Sequence, residues 1–304
     1  MSKKIILIAG PTASGKSSLA VLLAKKIGGE IINADSMQIY KEFFILSSRP
    51  LKTDLKKAKH HLYGFLSVKK HFSTGLWLKL AKTKIDTCIK KKKVPIIVGG
   101  TGLYFNAITK GISQIPDIKI KTRTFVRKLH KKLGQSEFYK RLIFIDPLSK
   151  NKILPTDTQR TIRAYEVKID TKKSLYEWAS NTRSEFLNYD IRKFFLNISR
   201  ENLLKNISKR TEEMFKNGCV NEVKSFQSLK IDKSLSSNKL IGVKEIMDYL
   251  SGKATLEHTK ELVNIRTRQY AKKQNTWSRG YMKNWTKLYS KDLTTLTKKI
   301  LKVI

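Results

Sequence analysis

The chain has 304 residues, of which 40% are hydrophobic and 9% aromatic, so it can bury a core and is not disordered as a whole. Its 63 lysines and arginines against 24 acidic residues give a net charge of +39, spread along the whole chain. This excess has two interpretations: a compositional bias towards lysine, or a polyanionic partner such as nucleic acid or, less favoured, an anionic membrane surface.

Membrane and disulfide classes are disfavoured. No run of about 18 apolar residues is present, and the apolar run at 5–9 is too short for a signal peptide, so we expect a soluble, cytoplasmic protein without membrane association. The two cysteines, Cys88 and Cys219, lie far apart in the sequence, which argues against a disulfide framework and a zinc site.

Short apolar runs alternate with helical patterns in the first half of the chain. The predicted strands are residues 5–9, 30–34, 94–98 and 194–198, and the predicted helices include residues 19–27, 158–169, 201–217 and 259–273. This order predicts an α/β fold with a doubly wound, mostly parallel sheet. We expect the first part of the core at 1–113, a helical insertion domain at 114–189, and core completion with C-terminal helices at 190–304.

The segment GPTASGKS, from Gly10 to Ser17, follows the first predicted strand and fits the pattern G-x-x-x-x-G-K-[ST]. Its glycines let backbone amides wrap a diphosphate at the start of a helix. In this pattern Lys16 neutralises phosphate oxygens and the Ser17 hydroxyl is placed to bind Mg²⁺. The motif predicts a P-loop NTPase-like core with a phosphate site, without indicating what the phosphate is attached to.

Polar residues also follow the second and third predicted strands, as Asp35 and as the run GGTG at 99–102. Because ligands bind at the carboxyl ends of parallel strands, we expect these segments and the phosphate loop to form one site. Asp35 has three interpretations: a general base, a ligand in a magnesium shell, or a helix N-cap. The GGTG run alone is equally typical of a tight turn, and the pair His60-His61 is more typical of packed or hydrogen-bonded histidines than of catalysis.

Two later segments mix cations and amides with aromatic residues. The first contains Gln159, Arg160 and Arg163, and the second runs from 267 to 277, TRQYAKKQNTW. The pattern suits RNA, since cations bind phosphates and aromatic rings stack on bases, and it equally suits a solvated helix with its tryptophan in the core.

Taken together, these segments resemble the tRNA dimethylallyltransferase (isopentenyl-tRNA transferase) family. The matching pieces are GPTASGKS at 10–17, DSMQIY at 35–40, GGTGLYF at 99–105, DTQRTIRAYE at 157–166, LIGVKE at 240–245 and TRQYAKKQNTW at 267–277. They occur in order over nearly the whole chain.

The resemblance implies transfer of a dimethylallyl group from dimethylallyl diphosphate to the N6 amine of adenosine-37, next to the anticodon of tRNA, with Mg²⁺ as cofactor. It implies a helical insertion that binds the anticodon stem-loop, and a monomeric enzyme. The implied catalytic residues are Asp35 as general base, Thr101 and Lys16. Those implied to bind diphosphate are Gly10, Thr12, Ala13, Ser14, Gly15, Lys16, Ser17 and Arg210. Those implied to contact tRNA are Asp35, Ser36, Met37, Gln38, Thr101, Arg123, Gln159, Arg160, Thr161, Ile162 and Arg163.

The chain departs from the family pattern at three places. Asn206 stands where arginine is usual, Val243 stands where tyrosine is usual, and LSSRP at 46–50 replaces G-T-A-K-P. Three other functions are weighed: a small-molecule kinase, whose second strand also ends in an aspartate, a non-catalytic RNA-binding protein, and a prenyltransferase acting on free adenylate. The positive charge disfavours a kinase, and the retained site residues disfavour a non-catalytic protein. The segments at 157–166 and 267–277 disfavour an enzyme that acts on free adenylate.

Overall fold

A parallel β-sheet forms the centre of the fold in the computed structural model, which describes residues 3–289 and 292–304. The strands in those residues are β1 Lys4–Ala9, β2 Glu30–Asn33, β3 His60–His61, β4 Pro95–Gly99, β5 Asp190–Asn197 and β6 Thr286–Tyr289. Their order across the sheet is β3-β2-β4-β1-β5-β6, and every neighbouring pair is parallel. The carboxyl ends of all these strands therefore lie along one edge.

The helices of the described residues follow the strands along the chain. They are α1 Lys16–Ile27, α2 Lys52–Lys57, α3 Thr74–Lys90, α4 Gly102–Lys110, α5 Ile120–Ile145, α6 Thr158–Thr171, α7 Leu175–Ser180, α8 Arg200–Lys216, α9 Cys219–Ser228, α10 Val243–Leu250, α11 Leu256–Tyr281 and α12 Leu293–Leu301. Short 3₁₀ helices occupy Pro147–Ser149 and Ser236–Lys239. Within the described part of the chain, no helix is long and apolar enough to cross a bilayer.

The central strands are buried because their sequences are almost entirely apolar, as expected for a parallel sheet covered on both faces. In β1 and β4, Ile8 pairs with Val98, and on the other side of β1 it pairs with Phe194. The strand ends are tightly packed: a Cβ on Gly99 would lie 2.1 Å from the carbonyl oxygen of Ala34. Only glycine fits at the end of β4, so the polar segments after β2 and β4 lie next to each other.

Helix α1 begins directly after the loop that follows β1. Gly15 precedes it with φ 88°, and Gly28 ends it with φ 62° while donating its N–H to the carbonyl of Ala24. Both backbone conformations are left-handed, which glycine adopts without strain. The apolar face of α1, including Leu19 and Leu23, packs on the sheet in the main core. Burial of each such leucine contributes about 1.5–3 kcal/mol.

The chain divides into two compact units. One comprises Met1–Ile108 with Asn188–Ile304 and holds the sheet, and the other comprises Thr109–Leu187. The second unit is helical, and its own core contains Val126, Phe138 and Tyr165. Our sequence-based boundaries for the inserted segment were 114 and 189, and its proposed RNA-binding role stays a prediction.

The α/β class, the parallel sheet and the helical parts are confirmed, whereas some element bounds differ from the prediction. Strand β5 begins at Asp190, whereas the prediction starts at 194. The first four residues, DIRK, lack the apolar pattern of a buried strand, so the sequence does not indicate them. The edge strands β3 and β6 were not predicted, since each is short and polar.

Candidate active site

The loop between β1 and α1 folds back on itself around Lys16. Its Nζ donates to the carbonyl of Pro11 at 3.0 Å, and the residue is only 9% exposed. Burial lowers the pKa of Lys16 to about 8, with the charge of Asp35 opposing the shift and that of Arg210 adding to it. A buried ammonium group has lost most of its solvation, and a bound anion would offset that loss.

Two hydroxyl groups of this loop are suited to bind an anion and its counter-ion. Ser14 Oγ is buried and has no hydrogen-bond partner among the described residues, which is rare for a buried polar atom. Ser17 lies in the first turn of α1 with its side chain exposed. A hydroxyl oxygen beside a phosphate loop is a ligand type that Mg²⁺ accepts, so the residues present fit a diphosphate with magnesium.

Helix α8 approaches the same loop with two side chains. Arg210 Nη1 donates to Thr12 Oγ1 at 2.8 Å, and Asn206 Nδ2 donates to the carbonyl of Ala13 at 3.0 Å. Burial lowers the pKa of Arg210, although Asp35 opposes that shift. A guanidinium stays protonated under such conditions, so Arg210 brings a permanent cation to the loop, in addition to the titratable Lys16.

Asp35 follows β2 in a turn that hydrogen bonds hold on both sides. Its Oδ1 accepts from the N–H of Met37 at 2.9 Å, and its own N–H donates to Asn33 Oδ1 at 2.9 Å. Asn33 in turn donates to the carbonyls of Asp35 and Leu62, both at 3.0 Å. The carboxylate is therefore fixed in position through Oδ1, and its second oxygen is left to accept a proton or a hydrogen bond from a ligand.

The charge of Asp35 acts on three buried tyrosines, Tyr63, Tyr104 and Tyr270. Burial raises the pKa of each phenol, and the nearby negative charge of Asp35 raises it further. The three phenols therefore remain neutral at physiological pH.

Thr101 connects the segment after β4 to the segment after β2. Its Oγ1 accepts from the N–H of Ser36 at 3.0 Å and lies 3.3 Å from Ser36 Oγ, while its own N–H donates to the carbonyl of Ala34 at 3.1 Å. The two strand-end loops therefore behave as one piece, with Thr101 directly next to the residue after Asp35.

A cavity of about 110 Å³ brings the polar groups together. The polar residues of its lining are Thr12, Asp35, Ser47, Arg210, Thr211, Lys239, Thr267 and Tyr270. The apolar side is formed by Met37, Leu46, Ile207, Met214, Leu240, Ile241 and Val263. The cavity therefore joins cationic groups and a carboxylate to a hydrocarbon wall.

The loop that carries Leu46 is held by a carboxylate from α9. Glu222 accepts from the N–H groups of Ile45 at 2.9 Å and Leu46 at 2.8 Å, and also from that of Phe44. Gln38 adds hydrogen bonds from its amide to the carbonyls of Ser47 and Ser48. The unusual LSSRP segment is thus fixed by the protein's own side chains.

Comparison with known proteins places the chain in a family. The IPP transferase family model matches residues 38–281. The chain belongs to the IPP transferase family. It is 52% identical over 299 residues to a tRNA dimethylallyltransferase of Pelagibacter ubique, covering 98% of this chain and 96% of that protein. It is 42% identical to a tRNA dimethylallyltransferase of Rickettsia massiliae, covering 93% of this chain and 78% of that one.

Solved structures of IPP transferases agree with the fold. The tRNA isopentenylpyrophosphate transferase of Bacillus halodurans is 30% identical with a TM-score of 0.71, covering 99% of this chain and 96% of that one. A eukaryotic dimethylallyltransferase described as acting on tRNA is 28% identical with a TM-score of 0.79, covering 91% of this chain and 70% of that one. The resemblance inferred from the motifs is confirmed.

The sequence motif at 157–166 lies in the helical unit, where it begins α6. Asp157 caps this helix by accepting from the N–H of Arg160. Gln159 and Arg160 are exposed, Arg163 is half-buried 3.7 Å from Glu166, and Arg123 on α5 is exposed. Two residues of the motif face the interior of the unit. Ile162 packs on its core. Thr161 is 0% exposed, and its hydroxyl donates to the carbonyl of Asp157.

Sequence reasoning missed two contacts that α8 and α11 make with the loop between β1 and α1. Asn206, noted only as a departure from the family pattern, reaches Ala13, and Gln274 on α11 accepts from the N–H of Thr12 at 2.8 Å. The motif at 267–277 includes the second of these segments, but its composition suits RNA and a solvated helix equally and does not indicate a contact with this loop.

The pair His60-His61 is hydrogen-bonded, as expected. His61 Nε2 lies 2.6 Å from Glu30 Oε2. Burial acts to raise the pKa of Glu30, but the contacts with His61 and Cys88 and the charge of Lys59 together lower it. Cys88 lies 3.6 Å from the same oxygen, within a group of metal-capable side chains that sequence spacing did not indicate. Burial raises the pKa of the Cys88 thiol to about 12, so it stays protonated in this contact between β2, β3 and α3.

Proposed function

We propose that the protein transfers a dimethylallyl group from dimethylallyl diphosphate to the N6 amine of adenosine-37, next to the anticodon in tRNA, and releases diphosphate. Membership of the IPP transferase family supports a prenyl transferase acting on tRNA. The observation that carries the proposal is the cavity whose lining combines Thr12, Arg210 and Asp35 with several apolar side chains. A diphosphate with a short hydrocarbon tail matches that combination of surfaces.

The proposed reaction forms a bond between the adenine nitrogen and C1 of the donor as the C1–O bond breaks. The electron pair of that bond leaves with the diphosphate, and the proton of the amine passes to Asp35. Lys16 and Arg210 provide positive charge where negative charge develops on the leaving group, which is where fixed charges accelerate a reaction most. Asp35 is held by the N–H of Met37 through one oxygen, which leaves the other for the amine.

Magnesium is proposed as the cofactor, held through the Ser17 hydroxyl, where it would neutralise charge on the diphosphate. The buried Ser14 Oγ and the loop amides complete the proposed diphosphate site. The apolar residues of the cavity would bind the hydrocarbon tail and exclude water, which prevents hydrolysis of the donor.

The proposed acceptor is the anticodon stem-loop of tRNA, with the target base displaced from its stack to reach the carboxylate. In the helical unit, the exposed groups of Arg123, Gln159 and Arg160 are suited to phosphates and bases. Thr161 and Ile162 would act by shaping α6, since their side chains face the core of the unit. We further propose that the enzyme acts as a cytoplasmic monomer.

Mass spectrometry of nucleosides tests the proposal directly. Unmodified tRNA incubated with the protein, Mg²⁺ and dimethylallyl diphosphate should yield an adenosine that carries one dimethylallyl group, and a tRNA with guanosine at that position should not react. Prenylation of free adenylate with no reaction on tRNA would contradict the proposal. Phosphoryl transfer from ATP to a small acceptor would instead favour a kinase.

A further inference from the structure

One face of α11 contacts the loops that follow β1 and β4. Tyr270, Gln274 and Trp277 lie on this face, at the spacing of four and then three residues that places side chains in one row. These residues, with Gly10, Gly100 and Thr101, line a second cavity of about 270 Å³. Tyr270 also lines the smaller cavity that contains Asp35.

The side-chain amide of Gln274 joins two loops that are far apart in sequence. Its Oε1 accepts from the N–H of Thr12 at 2.8 Å, and its Nε2 donates to the carbonyl of Gly100 at 2.9 Å. An amide supplies one donor and one acceptor on the same planar group, as this bridge requires. A glutamate at this position would place a carboxylate oxygen against the carbonyl oxygen of Gly100, so two acceptors would face each other without a hydrogen.

Neighbouring residues are shaped to admit this bridge. A Cβ on Gly100 would lie 2.2 Å from Gln274 Nε2, and a Cβ on Gly102 would lie 2.4 Å from the ring of Trp277. The amide is therefore held in place, with both of its polar ends engaged inside the protein.

Each bridged loop leads directly to one of the proposed reactants. On one side, Thr12 also receives the hydrogen bond from Arg210, so its backbone is fixed by α11 and its side chain by α8. On the other side, Gly100 precedes Thr101, which holds the N–H of Ser36 next to Asp35. A displacement of one loop relative to the other would change the distance between the donor and the base.

We propose that Gln274 is a positioning residue that sets the diphosphate loop against the carboxylate loop for the transfer step. This inference rests on the proposed function of the site. It assigns to Gln274 a role between protein loops and not a contact with RNA. Misplacement of reacting groups by about 1 Å costs roughly a hundredfold in rate, so a bridge of this kind acts on the rate of transfer and not on affinity.

The test compares Gln274→Ala with the matched control Gln227→Ala, which removes the same amide from an exposed position on α9. With donor and tRNA both saturating, the single-turnover rate of Gln274→Ala should fall roughly ten- to a hundredfold. Its Kd for tRNA should stay within about twofold of the wild-type value, because no RNA contact is removed. A rise in the Kd for tRNA with an unchanged rate would assign Gln274 to the RNA surface, and a lower Tm with both unchanged would make its role purely structural.

Gly100→Ala provides a second, independent perturbation, since its methyl group would displace the amide without deleting it. We expect the same loss of rate. When Gly100→Ala is combined with Gln274→Ala, the loss should be no greater than that of one substitution, because both break the same bridge. If the two losses multiply, the coupling is absent and the proposal is wrong. Should Gln274→Ala fail to fold, the isosteric Gln274→Glu takes its place, with a loss of rate again expected.

Failure of the proposed function is separable from failure of this inference. If the wild-type protein transfers no prenyl group to tRNA, the proposed function fails. The bridge is then tested by amide hydrogen exchange of Thr12, which Gln274→Ala should accelerate and Gln227→Ala should not. Unchanged exchange at Thr12 would overturn the bridge itself.

Discussion

Replacement of Asp35 by asparagine separates the three roles that this carboxylate can take. In the structure, Asp35 Oδ1 accepts from the N–H of Met37, while Asn33 holds the backbone on either side. Asparagine keeps a carbonyl oxygen for Met37 and caps such N–H groups about as well as aspartate. The turn and the free energy of unfolding should therefore be retained in Asp35→Asn.

The expected loss is confined to the chemical step. General-base catalysis contributes about a hundredfold or more, so the rate of transfer should fall by at least that factor, or about 2.7 kcal/mol of activation free energy. Diphosphate binding should hold or tighten, since a negative charge leaves a site that contains Lys16 and Arg210.

Single-turnover prenylation with saturating tRNA measures the rate, and calorimetric titration with inorganic diphosphate measures binding. Asp232→Asn is the matched control, because Asp232 Oδ1 accepts from the N–H of Ser234 at 2.7 Å in the same kind of turn, on an exposed loop. A loss that added Mg²⁺ partly restores would indicate a magnesium ligand. A near-normal rate for Asp35→Asn would refute the role of general base.

Four further predictions use the same assays. Arg210→Gln should lower kcat/KM for dimethylallyl diphosphate roughly a hundredfold or more with little change in tRNA affinity, because its guanidinium serves the leaving group; the opposite split would place Arg210 on the RNA surface. Lys16 has a pKa lowered to about 8 by burial, so the free protein loses this charge as pH rises from about 7 to about 9. Its diphosphate affinity should fall over that range relative to Lys16→Arg, which does not titrate there, and parallel curves in titration calorimetry would contradict this. Glu222→Gln should lower the free energy of unfolding by about 1–3 kcal/mol in urea denaturation, since the carboxylate accepts from Ile45 and Leu46. The affinity for tRNA in filter binding should fall steeply with salt, with a log–log slope well above one, because several phosphates are neutralised; a flat dependence would exclude this mode of binding.

The position of the site was predictable from sequence because strand ends in a parallel sheet share one edge. Apolar runs before Gly10, Asp35 and the GGTG segment identified the strands, and their parallel order brings the three segments together. The hydrogen bond between Thr101 and Ser36 shows how close that approach is. Local patterning was sufficient for these residues.

Contacts between distant helices and the site were not predictable in the same way. Gln274 meets Gly100 across 174 positions of sequence, and Asn206 meets Ala13 across 193. Such pairs depend on how α8 and α11 lie against the sheet, and no local pattern encodes that placement. Arg210 was predicted only from the resemblance to the family. The edge strands were not predicted for another reason, since two to four polar residues carry too little periodicity.

The strand order also determines when the protein can fold during synthesis. Strand β1 lies between β4 and β5, so one of its edges has no partner until residues 190–197 have left the ribosome. The segment Thr109–Leu187 is continuous and has its own core, and it is translated in between. The unit that begins second is therefore the first whose chain is complete. Until then the apolar strands of the earlier unit have an open edge, and such an edge is prone to pair with other chains.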